Sequence, residues 1–114
     1  MKYALVTGAS RGIGKAVALR LAKRGFCTII NYLNNHEAAE QVKQEIEQEG
    51  GYAELLPFDA SQPQQIEAAI DQWESAHPDE WISILVNNAG IRRDNVMFMM
   101  SNDDWHDVLD TNLN

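Results

Sequence analysis

The sequence is poor in cysteine, in proline and in long apolar runs. Its 114 residues include one cysteine, Cys27, and three prolines. A single cysteine excludes an intrachain disulfide and a cysteine-rich metal site, and the three histidines lack the spacing of zinc ligands. No apolar run approaches the roughly 18 residues needed to span a bilayer, and the apolar start is too short for a signal peptide. We therefore expect a cytoplasmic protein without a metal site and without a membrane partner.

Acidic residues are absent from the first 36 positions. This segment contains six basic residues, for a net charge of +6, whereas residues 37–114 contain three basic and all 17 acidic residues, for a net charge of −14. Solvated helix faces account for most of the acids. The basic first segment suits an anionic cofactor, while the acidic remainder offers no basic stripe for nucleic acid. Nucleic acid is therefore not an expected partner.

The rest of the composition, 45% apolar and 23% charged residues, is that of one ordinary globular domain. A continuous apolar run within 2–7 is typical of a buried strand, and the segments 26–33, which is rich in β-branched residues, 52–58 and 82–86 are predicted as three further strands. Apolar residues at helical spacing predict helices at 12–24, at 37–49 and from 63 to 78. A loop that includes 97–100 follows, and then a last helix with Ser101 at its cap and Trp105, Val108 and Leu109 on its apolar side.

Strands that alternate with helices of ten or more residues require a parallel sheet with crossover connections. The pattern therefore predicts an α/β protein with a Rossmann-type doubly wound parallel sheet, of which this chain holds about four βα units. Ligands of such sheets bind beyond the carboxyl ends of the strands. The polar segments 7–14, 31–35, 59–60 and 87–90 all follow predicted strands, so we expect them to share that edge.

The segment 7–14 reads T-G-A-S-R-G-I-G and joins the first strand to the first helix. Gly8 permits a sharp turn, Gly12 allows a pyrophosphate to approach the backbone, and Gly14 allows the helix to pack close to its strand. A helix N-terminus with unpaired N–H groups and a partial positive charge is a ready site for a phosphate. Taken alone, the glycine triplet is equally compatible with a purely structural turn.

Four motifs in order carry a family resemblance. T-G-x-x-x-G-x-G at 7–14, Asp59 after the third strand, N-N-A-G at 87–90 and T-N-L at 111–113 resemble the short-chain dehydrogenase/reductase family. The segment 90–112 is similar, more narrowly, to 3-oxoacyl-[acyl-carrier-protein] reductases. The motifs span the whole chain, which we interpret as the N-terminal part, residues 1–114, of a single NAD(P)-binding Rossmann domain.

The resemblance implies a role for each matching position. The cofactor phosphates and the nearby ribose would be lined by the residues of the glycine turn, Gly8, Ser10, Arg11, Gly12, Ile13 and Gly14. The adenine would be met by the two residues after the third strand, Asp59 and Ala60. The adenine ribose would be bordered by three residues after the fourth strand, Asn87, Ala89 and Gly90. Asn112 matches the asparagine of the family's catalytic proton relay. The resemblance also implies that Asn87, Ala89 and Gly90 stabilise the central sheet. Purely structural roles stay open for Asp59, as a turn or helix cap, and for Asn87 and Asn88, as strand-end backbone caps.

The end of the second strand bears on the choice of cofactor. In dinucleotide-binding folds, an acid there binds the ribose 2′-hydroxyl of NAD. The segment from Asn31 to Asn35 has no acid, and Arg11 could pair with a 2′-phosphate. We therefore expect NADP(H) and include Asn31 among the cofactor-binding residues. For Arg11, a solvated loop charge is the alternative.

The resemblance also implies an activity, the NADPH-dependent reduction of a 3-oxoacyl thioester to the 3-hydroxyacyl form, and a homotetramer. The substrate would be linked to acyl carrier protein or to coenzyme A, and Arg92 and Arg93 would attract it or be solvated loop charges. The family's reaction needs a serine and a tyrosine followed four positions later by lysine, and no such pair occurs here. We therefore expect these 114 residues alone to be inactive. The alternatives are a non-catalytic dinucleotide-binding or assembly module and a reductase of another ketone or alcohol.

Overall fold

The computed structural model describes residues 2–88 together with the backbone of 95–100 and 107–112. Strands and helices alternate along the chain as far as the fourth strand, and two further strands follow. The elements are β1 (Tyr3–Val6), α1 (Gly12–Lys23), β2 (Cys27–Tyr32), α2 (His36–Gln48), β3 (Ala53–Pro57), α3 (Pro63–Ala76), β4 (Ile82–Asn87), β5 (Asn95–Met100) and β6 (Asp107–Asn112). The first seven elements confirm the predicted order.

One sheet contains all six strands, in the order β3-β2-β1-β4-β5-β6. β1 lies between β2 and β4 and pairs in parallel with both, and β2 pairs in parallel with β3. Four parallel strands connected by three helices make the Rossmann-like α/β arrangement that the sequence predicts. Because these strands are parallel, the loops that follow β1, β2, β3 and β4 all leave the same edge of the sheet.

The two faces of the sheet carry separate cores, as expected for strands that are buried on both sides. On one face, Val6 and Ile30 pack with Val42 and Ile46 of α2. On the other face, Leu5 and Ile29 pack with residues of α3 that include Trp73. Successive strand residues therefore serve opposite cores. None of the described helices is long and apolar enough to cross a membrane.

A cluster of aromatic and ionisable side chains, buried or half-buried, lies at the amino ends of the strands. The Trp73 ring stacks on His77 at a centroid distance of 3.8 Å and contacts Tyr3 at 4.7 Å. Its Nε1–H donates to Glu54 Oε1 at 3.2 Å, and the Cys27 Sγ lies 4.0 Å from Glu54 Oε2. We call these five residues the amino-end cluster.

Two pKa values in the amino-end cluster are raised. Burial, together with the nearby carboxylates of Glu54 and Glu80, raises the pKa of the Cys27 thiol to about 11. A hydrogen bond to Glu80, together with burial, raises the pKa of the Tyr3 phenol above its ordinary value. Both groups are therefore held in their neutral forms.

The prediction of a loop at 97–100 followed by a helix is wrong. Residues 95–100 form β5, which pairs antiparallel with β4, and residues 107–112 form β6, which pairs antiparallel with β5. The apolar spacing around Trp105 is helical, but Asp, Val, Thr and Asn dominate 107–112 and are poor helix formers. Pairing beside β4 also gives the backbone of its outer edge hydrogen-bond partners, so tertiary context decides the structure of this segment.

Candidate functional site

The turn between β1 and α1 has the backbone conformation that its glycines permit. Gly8 and Gly12 adopt φ values of 60° and 62°, in the left-handed region that favours glycine. α1 begins at Gly12 with no side-chain cap and with no acid in its first turn. The N–H groups of a first helical turn have no partner within the helix. The N-terminus of α2, by contrast, is capped by Asn35, whose side-chain oxygen accepts from the N–H of Ala38 at 3.1 Å.

Gly14 lies where the helix passes closest to the turn. A Cβ added there would overlap the carbonyl oxygen of Gly8 and would lie 2.9 Å from Asn88 Nδ2. Around Gly12, by contrast, no atom of the described residues lies within 4 Å of the position of an added Cβ, apart from its chain neighbours and the adjoining backbone of α1, and the residue is exposed. The glycines therefore serve two purposes, because Gly14 allows close packing and Gly12 leaves the approach to the helix end open.

Hydrogen bonds from Thr7 join the loops after β1 and β4. The Thr7 hydroxyl donates to Asn87 Oδ1 at 3.0 Å and accepts from the N–H of Asn88 at 2.9 Å. Asn88 Nδ2 also donates to the carbonyl of Gly8 at 3.4 Å. The structural alternative for the asparagine pair is thus observed, since both residues tie the end of β4 to the turn. A contact of Asn87 with a cofactor ribose stays a prediction.

Asn31, at the end of β2, is 2% exposed. Its side-chain oxygen accepts from the N–H of Gly8 at 3.1 Å, and its Nδ2 donates to the carbonyls of Leu56 and Phe58, both at 3.1 Å. Its backbone carbonyl accepts from the N–H of Ala9 at 3.0 Å. Asn31, which the sequence predicts to bind the cofactor, is thus buried, and its side-chain amide hydrogen-bonds to the backbone of the glycine turn and of the segment that ends β3.

Asp59 begins the loop between β3 and α3 and forms a turn of its own. Its Oδ1 accepts from the N–H and from the hydroxyl of Ser61, at 3.0 and 2.6 Å. These hydrogen bonds hold the pKa of the Asp59 carboxyl below its usual value, so the side chain is a carboxylate at neutral pH. Ala60 is buried in the core that packs against α3. The alternative turn role of Asp59 is therefore observed, and contacts of both residues with adenine stay predictions.

The other predicted residues of the turn lie toward the open edge. Arg11 is exposed and extended, Ser10 is half-buried, and Ile13 packs partly against the core of α1 and α2. No acidic side chain among residues 2–88 forms an ion pair with Arg11. Ala89 and Gly90 lie outside the described residues, as do Arg92 and Arg93. Asn112 is the last residue of β6, opposite Asn95, rather than part of a helix, and its proposed place in a proton relay stays a prediction.

Sequence reasoning missed several contacts beside this edge. The Tyr32 hydroxyl lies 2.7 Å from His36 Nδ1, and His36 Nε2 lies 3.9 Å from Glu40. The spacing of four residues between His36 and Glu40 on one helix was the available signal. Thr7 was missed as a linking residue although it belongs to the first quoted motif. Among the described residues, no three histidine, cysteine or carboxylate side chains are grouped as metal ligands.

A model of the short chain dehydrogenase family matches residues 2–114. The chain belongs to the short-chain dehydrogenase family. Among curated proteins, this short-chain dehydrogenase chain is 42% identical over 112 residues to the 3-oxoacyl-[acyl-carrier-protein] reductase FabG of Staphylococcus aureus, covering 98% of the chain and 45% of that relative. It is 43% identical over 114 residues to the corresponding reductase of Synechocystis, covering 98% and 44%. The chain thus spans less than half the length of these relatives.

Solved structures give the same family. A dehydrogenase/reductase from Sinorhizobium meliloti superposes with a TM-score of 0.70 at 44% identity, over 82% of this chain and 36% of that one. A metagenomic short-chain oxidoreductase in complex with NADP superposes with a TM-score of 0.69 at 38% identity, over 79% of this chain and 39% of that one. The family resemblance inferred from the motifs is confirmed.

Proposed function

We propose that this chain forms the NADP(H)-binding part of a short-chain dehydrogenase that reduces 3-oxoacyl thioesters. The observation that carries the proposal is the uncapped N-terminus of α1 behind the glycine turn, at the edge where four loops meet. Support for the substrate class comes from the names of the two reductases at 42% and 43% identity. The thioester would be carried by acyl carrier protein or by coenzyme A, and the whole protein would be a cytoplasmic homotetramer.

The turn has the shape and charge that a dinucleotide phosphate needs. Gly12 is exposed, and the space beside its Cα is empty, so an oxygen could approach the backbone closely. The first N–H groups of α1 point out of the helix end and favour a negative charge. Arg11, next to this end, adds a full positive charge that has no ion-pair partner among residues 2–88. A phosphate would therefore fit here without displacing a side chain of residues 2–88.

The preference for NADP(H) follows from the charges beside the end of β2. The segment after Asn31 contains Tyr32, Leu33, Asn34 and Asn35, none of which is acidic. A 2′-phosphate would meet no carboxylate in this segment, and the Arg11 guanidinium is suited to pair with it. The solved relative with NADP is consistent with this choice for the family.

When bound, the nicotinamide ring supplies the hydride for carbonyl reduction. The residues of this chain would bind and orient the cofactor. The N-terminus of α1 would hold the phosphates, Arg11 would select the 2′-phosphate, and Asp59 with Ala60 would border the adenine. Asn87, Ala89 and Gly90 would line the ribose, and Asn112 would take part in the proton relay of the complete enzyme.

Calorimetric titration with NADPH and NADH tests the cofactor assignment. We expect the unmodified chain to bind NADPH more tightly, and Arg11→Gln to remove most of that preference, on the order of tenfold for one charge-assisted contact. Arg20→Gln on the same helix makes the same change of charge away from the turn and should leave the preference intact. Equal binding of both nucleotides by the unmodified chain would contradict the assignment.

An assay of NADPH oxidation with an acetoacetyl thioester tests the substrate class. We expect turnover from a protein that also contains the family's serine, tyrosine and lysine, and none from the 114 residues alone. A complete protein that binds NADPH without reducing the thioester, but reduces another ketone, would refute the substrate class and leave the cofactor assignment standing.

A further inference from the structure

Asn31 contacts two loops of the candidate site at once. Its side-chain oxygen accepts from Gly8 in the glycine turn, while its nitrogen donates to Leu56 and Phe58 at the end of β3. An asparagine amide offers one acceptor group and two N–H donors. All three functions are therefore used, each at 3.1 Å, by a side chain that is almost fully buried.

The backbone near Asn31 reinforces the same connection. Its carbonyl accepts from the N–H of Ala9, and the carbonyl of the next residue, Tyr32, accepts from the N–H of Phe58 at 3.1 Å. The glycine turn and the residues preceding Asp59 are thus held from one point at the end of β2. The amide of Gly8 is also occupied by Asn31, which leaves the N–H groups at the start of α1 as the donors for a phosphate.

We propose that Asn31 is a positioning residue, which fixes the spacing between the glycine turn and the loop after β3 so that the pyrophosphate and the adenine of a dinucleotide are held at the same time. The inference rests on the proposed function, since it assigns the dinucleotide as the ligand that spans the two loops. Asn31 acts through Gly8 and Phe58 and does not itself touch the ligand. The chemistry also explains the residue type, because a donor is needed on one side and an acceptor on the other.

Two variants separate the parts of this contact. Asn31→Leu removes, at similar volume, these three hydrogen bonds and a longer one of 3.4 Å from Asn31 Nδ2 to the carbonyl of Tyr32. Asn31→Asp keeps an acceptor for Gly8 but turns an oxygen toward the two carbonyls, where a carboxylate is repelled and only a protonated carboxyl can donate. We expect the affinity of Asn31→Asp for NADP⁺ to recover as the pH is lowered from 9 to 5, and we expect no such recovery for Asn31→Leu. The ionisable residues that flank the two loops and the end of β2 in the sequence are Arg11, His36 and Asp59, and all three are common to the variants.

Two changes on the same strand serve as controls. Thr28 is buried, and its hydroxyl has no partner among the described residues, so Thr28→Val alters a buried position of β2 without removing a hydrogen bond. Ile29→Val loosens the core that packs against α3 and lowers thermal stability. Neither side chain makes a hydrogen bond to the two loops among the described residues, so both variants should bind NADP⁺ within about twofold of the unmodified chain.

The experiment measures NADP⁺ affinity by calorimetry and amide hydrogen exchange by NMR on the full chain. We expect Asn31→Leu to bind at least about tenfold more weakly, as for the loss of one to two hydrogen bonds. We also expect faster exchange at Gly8 and Phe58, with little change at Leu5 and Leu85 in the central strands. Binding within about threefold of the unmodified chain, or exchange that rises equally everywhere, would overturn the positioning role.

The two readouts also separate this inference from the proposed function. If the unmodified chain binds no NADP⁺ or NADPH, the proposed function fails. Faster amide exchange confined to Gly8 and Phe58 in Asn31→Leu would then still support the coupling of the two loops by Asn31. If exchange at these two amides is unchanged, the coupling is overturned. If both Asn31 variants lose the fold, the residue is part of the global core and the positioning role is overturned.

Discussion

At the carboxyl ends of the strands, Thr7, Asn31 and Asn88 join loops through hydrogen bonds to the backbone, whereas at the amino ends Trp73 and His77 pack ring against ring. In the first arrangement, side chains hydrogen-bond to the loops and hold their backbone in place, while the N-terminus of α1 stays uncapped. The second arrangement fills the space between α3 and the sheet and keeps the Cys27 thiol and the Tyr3 phenol neutral.

The difference shows how one sheet separates stability from binding. Burial of large rings stabilises by removing apolar area from water, and the effect does not depend on the fine placement of any loop. Hydrogen bonds to loop backbone stabilise less but fix direction and spacing. Substitutions at the amino ends should therefore change the free energy of unfolding, while substitutions at the carboxyl ends should change cofactor affinity more.

Trp73→Ala should have the largest effect on stability. Trp73 is 5% exposed and contacts Tyr3, His77 and Glu54, so its removal should lower the free energy of unfolding by about 3–5 kcal/mol. Denaturant unfolding followed by circular dichroism measures this change. Trp81→Ala is the matched control, because Trp81 is 62% exposed, and its loss should cost little. An equal loss of unfolding free energy in Trp73→Ala and Trp81→Ala would show that the buried rings at the amino ends contribute no special stability.

Gly14→Ala should damage the carboxyl-end site most. The new methyl group would overlap the carbonyl of Gly8, so the turn must shift, at a cost of about 1–3 kcal/mol in stability and with a loss of NADPH affinity. Titration with NADPH, together with denaturant unfolding, measures both quantities. Gly51→Ala provides the comparison, because its Cβ would also be crowded, at 2.9 Å from Ile46 Cγ2 and 3.2 Å from the Ile46 carbonyl oxygen, but away from the glycine turn. That variant should keep its affinity for NADPH.

Thr7→Val should loosen the connection between the β1 and β4 loops. Valine has nearly the shape of threonine but can neither donate to Asn87 nor accept from Asn88, so we expect a loss of about 1–2 kcal/mol in stability and weaker NADPH binding. Thr28→Val should instead raise the free energy of unfolding, since it removes a buried hydroxyl that has no partner among the described residues. If Thr7→Val changes neither the free energy of unfolding nor the affinity for NADPH, these hydrogen bonds contribute to neither quantity.

Alkaline pH should weaken the amino-end cluster. The pKa of Cys27 is about 11 in the folded chain and lower in the unfolded one, so the unfolded state releases its proton first as the pH rises. The free energy of unfolding should therefore decline between about pH 9 and pH 11, and the raised pKa of Tyr3 acts in the same direction. Cys27→Ala should flatten this decline in unfolding experiments at several pH values. Tyr52→Phe, at a tyrosine that is 62% exposed, should leave it unchanged.

Much of the first 88 residues was predictable, because apolar periodicity and glycine position act locally. The strand and helix order, the two-sided burial and the turn at 7–14 all follow from residues within a few positions of one another. Residues 95–112 were not predictable in the same way, since the edge of β4 decides their pairing and no local pattern contains that information. The spacing of Trp105, Val108 and Leu109 fits a helix equally well in isolation.

The candidate site shows the same limit at the level of single residues. The position of Asn31 at a strand end predicted that it would lie at the cofactor edge, but not that its side chain would turn inward to Gly8 and Phe58. That orientation depends on two loops from distant parts of the sequence. Asp59 was predicted with two roles, and its hydrogen bonds from Ser61, two residues away, could have been anticipated as a local turn.

The central place of β1 sets an order of events during synthesis. β1 is made well before β4, which is one of its two neighbours in the sheet, and the Thr7 hydroxyl and the Val86 carbonyl that come together there are 79 residues apart. At about 5–20 residues per second, translation leaves one edge of β1 without its partner for several seconds or longer. During that interval the emerging chain exposes an apolar strand edge, so nascent chains paused before β4 should bind chaperones more than chains that have passed it.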